Sequence, residues 1–137
     1  MQTYTKFQNV ALFTLRLITA AIFIVAAYYK LPFWSGPIEG VSTAMTYLMM
    51  FLSIAEFMGA VAILAGFLTR WAAAGLSIIT MGAILVVQFT MNTGFVTPTG
   101  AGWNFPLMVF GGCIILTAFG AGKWSVDFRR KEGKTNL

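Results

Sequence analysis

SIAEFMGAVAIL, residues 53–64, places one carboxylate, Glu56, inside a run that otherwise reads as hydrocarbon. Its neighbours extend the run into an apolar segment over about 43–68, and roughly 20 such residues are enough for a helix to cross a bilayer core. The same character holds along the chain. Of its 137 residues 58% are hydrophobic and 9% charged, and the mean hydropathy of +0.81 is far above a soluble domain's balance. The expected fold class is all-α: an integral membrane four-helix bundle, one domain over residues 1–137, with N- and C-termini cytoplasmic.

Four spans fit the sequence, at about 8–31, 43–68, 71–91 and 104–122, followed by a basic cytoplasmic tail over 123–137, of which RRKEGKTNL (129–137) reads as a solvated end. The first exceeds the h-region of a secretory signal, carries Arg16 and is followed by further spans, so it reads as a retained helix. The connections PFWSGPIEG and NTGFVTPTGAGW are rich in Gly, Pro, Ser and Thr and read as loops.

Charge orients the bundle. Of the 9 basic residues, all but Lys30 belong to the N-terminal side, the Arg70 turn or the C-terminal tail, which places those three in the cytoplasm. The four tryptophans fall at span ends, Trp34 and Trp103 outside, Trp71 and Trp124 inside, as interfacial belts require. The charge of +5 therefore points to anionic headgroups and not to nucleic acid. A multi-pass protein of the cytoplasmic (inner) membrane is expected, with the lipid bilayer as its first partner.

Cys113 is the only cysteine and histidine is absent. An intramolecular disulfide, a two-cysteine redox motif and a histidine-held metal or haem are thereby excluded. No nucleophile with its base, phosphate loop or metal cluster is visible, so no catalytic residue is assigned.

Glu56 lies about 20 Å from the cytoplasmic end of its span, near the bilayer midplane. An exposed charge there costs about 3 kcal/mol, so Glu56 is expected to face the bundle with a partner or to be protonated. Arg16, entering the first span from the same side, is the expected partner. Ala55, Gly59, Ala62 and Gly66 form a small-residue seam for helix packing beside Glu56. On the first helix Arg16, Ala20, Phe23, Ala27 and Lys30 share one face. Lys30 is expected to snorkel outward with Glu39 as neighbour. Two readings stay open: an Arg16–Glu56 pair that fixes register, or a polar cluster lining a cavity for a polar head group or a proton path.

Weaker polar positions are Gln88 and Asn92, read as interhelical bonding groups, and Asn104, read as an N-cap with Pro106 in the first turn. Tyr28, Tyr29, Phe33 and Trp34 read as an interfacial belt or as an aromatic mouth for a ring-shaped lipid such as a quinone.

These residues together resemble the DoxX family of small four-helix membrane proteins, over nearly the whole chain. LRLITAAIFIVAAYYKL (15–31) is similar to the family's Arg with a later small pair and Lys, here Arg16, Ala26, Ala27 and Lys30, with Ala27 where Gly is usual. EFMGAVAILAGFLTRWAAAGLSIITMGA (56–83) matches at Glu56, Gly59, Gly66, Thr69 and Arg70, and FGAGKWSVD (119–127) at Gly120, Gly122, Ser125 and Asp127. In WNFPL (103–107), Asn104 stands where many relatives have an acid. The resemblance implies a small, non-catalytic subunit or accessory of a quinone-linked membrane redox assembly, with a redox-complex subunit or further copies of itself as partners and quinone as a possible ligand. The alternatives are an oligomeric transporter or channel using an Arg16/Glu56 pair, and a purely structural membrane scaffold.

Overall fold

The computed structural model describes residues 4–36, 38–98 and 100–135, apart from the side chains of residues 131 and 133–135. The last two residues of the expected tail, and the Lys131 and Lys134 side chains within it, lie outside that description.

Helix α1 (Lys6–Tyr28) opens on a capping box, Thr5 with Gln8, that satisfies two of the amides a helix start leaves free. Helix α2 (Thr43–Ala65) opens on the Ser42 hydroxyl, which accepts from the Met45 amide. It closes at Gly66, whose φ of +70° suits a residue without a side chain. Helix α3 (Thr69–Leu85) runs on into a π-helical turn, Val86–Thr90, and α4 spans Asn104–Phe119.

Helix α1 packs along α2, α2 along α3 and α3 along α4, while α4 returns to α1 and closes the ring. Leu12, Ala20, Phe23, Ile63, Leu76, Cys113 and Leu116 fill its centre. The outer faces carry exposed Phe7, Ile18, Phe57, Ile78 and Met108. Large apolar side chains all round a bundle suit a lipid solvent and would be a liability in water. Among the described residues three helices are long and apolar enough to span, and α4, at 16 residues, is shorter.

Four details depart from the sequence reading. Helix α4 stops at Phe119 because Gly120, at φ +78°, turns the chain away. The tail carries a further helix, α5 (Val126–Thr135), on which Arg129, Arg130 and Glu132 are exposed. A two-rung antiparallel hairpin, β1 (Val96–Thr97) with β2 (Gly100–Ala101), occupies the third connection, and a 3-10 turn, Leu31–Trp34, the first. The small-residue seam is shared: at Gly59 it meets α3, where a Cβ would lie 2.9 Å from the Leu76 side chain, and at Gly66 it meets Arg16 of α1.

Candidate functional site

Two buried charges organise the interior, and they do not meet each other. Arg16 is 2% exposed on α1 and Glu56 4% exposed near the middle of α2. The Glu56 carboxylate accepts from Lys30 Nζ at 2.7 Å, and that ammonium also donates to the Ala26 carbonyl at 3.2 Å. This corrects three expectations. Glu56 is not the partner of Arg16, Glu39 is not the partner of Lys30, and Lys30 does not snorkel outward. Lys30 lies just past the end of α1, so its flexible stem can fold back along the last turn into the bundle.

Register explains why Arg16 is out of reach. Arg16 meets α2 at Ile63 and Leu64, about two turns or ~10 Å beyond Glu56. Its guanidinium donates from Nε to the Ile63 carbonyl at 2.8 Å and from Nη2 to the Leu64 carbonyl at 2.6 Å. Its Nη1 donates to the carbonyls of Ala121 at 3.2 Å and Trp124 at 2.6 Å. The Phe13 ring lies 5.6 Å from the guanidinium carbon. The carbonyls at the end of α2 lack full intrahelical pairing, Ile63 accepting only the longer Gly66 amide bond at 3.1 Å, and they carry the negative end of the helix dipole. A planar, five-donor cation serves several of them at once and joins α1, α2 and the segment after α4.

Around this centre the end of the bundle is tied down by side chains distant in sequence. Asp127 accepts from the Leu68 amide at 2.8 Å and the Thr69 amide at 2.9 Å, capping α3 from the start of α5. Its own amide donates to the Gly66 carbonyl at 2.9 Å. Ser125 donates to the Gly122 carbonyl at 2.7 Å and accepts from the Phe128 amide, so it caps α5. Gly66 is required for space as well as turn: a Cβ there would run into Ser125 and into Arg16 Nη2.

Outward of the Lys30–Glu56 pair, Trp34 folds back and donates from Nε1 to Ser53 Oγ at 3.0 Å, and Ser53 donates to the Met50 carbonyl. Beside them an apolar groove of about 400 Å³ separates α1 from α2, with Ala27, Tyr28, Leu31, Trp34, Ser53 and Phe57 in its walls.

Arg16, Glu56 and Lys30 thus occupy two separate polar centres of one helical ring, and the DoxX family model matches residues 11–89, more than half of the chain. The chain belongs to the DoxX family. It is also 30% identical over 128 residues to the inner membrane protein YqjF of Escherichia coli (strain K12), covering 89% of this chain and 93% of that one. No solved structure matches. This DoxX protein is a multi-pass protein of the inner membrane.

The positions that the sequence resemblance singles out sort by geometry. Gly66, Thr69, Arg70, Gly120, Gly122, Ser125 and Asp127 gather at the end of the bundle that holds Arg16. A Cβ on Gly122 would lie 3.1 Å from Asn9 Oδ1. Thr69 contributes its backbone amide, and its hydroxyl is the one buried side-chain polar atom without a hydrogen-bond partner among the described residues. Gly59 packs in the middle, and Lys30 with Glu56 forms the other centre.

Of the weaker positions, Tyr28 lines the groove while Tyr29 stacks edge-on against it, 6.0 Å away, and is exposed. Gln88 is half-buried in the π-helical turn. Asn92 takes a left-handed φ of +48°, a backbone role that asparagine tolerates. Asn104 is not the N-cap: α4 begins at it, and its Oδ1 reaches back to the Gly102 amide at 3.0 Å.

The sequence reading missed Asn9, Ser53 and the fold-back of Trp34. Asn9 accepts from the Lys123 amide at 2.8 Å and donates to the Tyr4 and Thr5 carbonyls. Its signal was present, since residues 9, 12 and 16 share one helix face.

Proposed function

We propose that this DoxX protein is a non-catalytic accessory of a quinone-linked membrane redox assembly, and that its groove between α1 and α2 receives the quinone. One observation carries the reading: a space of about 400 Å³ with apolar and aromatic walls, in which only Ser53 and Tyr28 carry a hydroxyl. Few polar groups among apolar walls are the usual make-up of a site for a small hydrophobic ligand. The residues fit a flat ring bearing carbonyls. Tyr28, Trp34 and Phe57 offer ring faces, and the Ser53 hydroxyl, now turned to its own helix, can rotate to donate. A bound quinone would supply the electron chemistry, and this chain would position and shelter it. The Lys30–Glu56 pair, just inward, holds the α1 end against α2 and so keeps the groove's walls in place.

Neither the transporter reading nor the register reading can use an Arg16/Glu56 pair, because Arg16 is committed to four carbonyls. The test is native mass spectrometry of protein gently solubilised from its own membrane, with quinone extraction from the same sample. Near-stoichiometric quinone, lost in Trp34→Ala and unchanged in Ile78→Ala on the opposite lipid face, is the expected result. Protein carrying only bulk lipid would sink the reading.

A further inference from the structure

At the opposite end of the bundle a second cavity, of about 410 Å³, opens between the start of α3, the segment after α4 and the start of α5. Arg70, Lys123 and Arg130 are in its lining. The Arg70 stem lies over Gly120, where a Cβ would come 3.3 Å from its Nε. The Arg130 guanidinium sits 5.5 Å from the Phe67 ring. Asp127 is the one carboxylate in the lining, and both its oxygens are taken by amides of the α2–α3 turn and α3. Among the described residues none of the three cations forms an ion pair, since Lys30–Glu56 is the only one.

Three cations with one occupied carboxylate leave the cavity positive. Its remaining wall is aromatic, with Trp71 and Phe128, and Trp71 is 79% exposed at the end of the bundle that carries the basic residues. Exposed tryptophan marks the headgroup layer, and basic pockets between spanning helices on the cytoplasmic side suit lipid phosphates. Arginine is the side chain whose fork matches a phosphate. We propose that this cavity binds the phosphate-bearing headgroup of an anionic phospholipid. The amides at the α3 start do not serve the phosphate, because Asp127 already holds them; Arg70, Lys123 and Arg130 do. A soluble phosphate shares this chemistry, but Trp71 and Phe128 beside the cations favour a lipid, whose glycerol and upper acyl chain they would cover. The proposal does not rest on the quinone reading.

The test uses the full chain in neutral detergent, titrated with phosphatidylglycerol or phosphatidylcholine and read by native mass spectrometry and by the lipid-induced rise in Tm. Phosphatidylglycerol is expected to bind preferentially. Arg70→Gln or Lys123→Gln should each weaken it about fivefold, and the double variant about 25-fold, at the usual worth of one interfacial cation. Arg129→Gln, an exposed cation outside the lining, should leave binding unchanged. Lipid-free melting of each variant shows that it is folded. Equal binding of phosphatidylcholine, an equal loss in Arg129→Gln, or an undiminished phosphatidylglycerol affinity in the double variant overturns the site. Displacement of the lipid by millimolar inorganic phosphate overturns the lipid as occupant.

Discussion

Arg16 and Lys30 show two ways of keeping a cation inside hydrocarbon. Lys30 uses a carboxylate, Glu56, at 2.7 Å. Arg16 uses four backbone carbonyls and no carboxylate within bonding distance. The first is an ion pair whose members are each costly alone. Glu56→Gln is therefore predicted to destabilise the protein by about 3 kcal/mol by leaving the Lys30 charge unpaired, measured as chemical unfolding in detergent. Adding Lys30→Met to Glu56→Gln should restore most of the loss, because no unpaired charge remains. A double variant as unstable as the sum of the two singles would mean that packing, and not charge, holds this centre. Arg16 admits no such rescue: an apolar substitute would strand carbonyls at the α2 end and after α4 together.

At the scale of elements, helix ends do most of the organising. Helix α3 begins with left-handed Leu68, φ +47°, and has no cap from its own neighbours. Its cap comes from Asp127, 58 positions from Thr69 in sequence. Asp127→Ala should cost roughly 1–2 kcal/mol, the usual range for losing an N-cap, and should loosen α5 with it. Hydrogen exchange at the Leu68 and Thr69 amides reports this directly, and unchanged protection there would refute the cap. The Arg16 contacts act likewise at the α2 end, so a single knot closes α2, opens α3 and anchors α5. The knot thus anchors the start of the helical tail at Val126, while Arg129 and Arg130 beyond it stay exposed.

For the whole molecule, asymmetry between the two ends is the organising fact. One end holds the knot, the basic cavity and α5; the other holds the hairpin, the folded-back Trp34 and the apolar groove. The basic end should face the cytoplasm. In a Cys113→Ser background, a membrane-impermeant maleimide should label Glu39→Cys in intact spheroplasts and Glu132→Cys only in inverted vesicles. The reverse pattern would invert the orientation and move the basic cavity to the outer leaflet.

The sequence by itself determined what depends on composition and period. Apolar length set the membrane setting and the four apolar helices, and 3.6-residue spacing set the buried face of α1, where Arg16, Ala20, Phe23 and Ala27 are all buried. Where α2 and α4 end, at Gly66 and Gly120, was seen only in the structure, since the apolar runs continue past both. Only the tertiary structure decided which charges meet. Position along a helix is legible in a chain, but the axial offset between two antiparallel helices is not, and ~10 Å of offset moved Arg16 from Glu56 to Ile63 and Leu64. The same holds for Asp127 and Asn9, whose partners become neighbours only when α5 and the post-α4 segment fold back beneath the bundle. Buried polar groups take the nearest donor or acceptor in space, because leaving one unpaired in hydrocarbon costs more than any local preference gains.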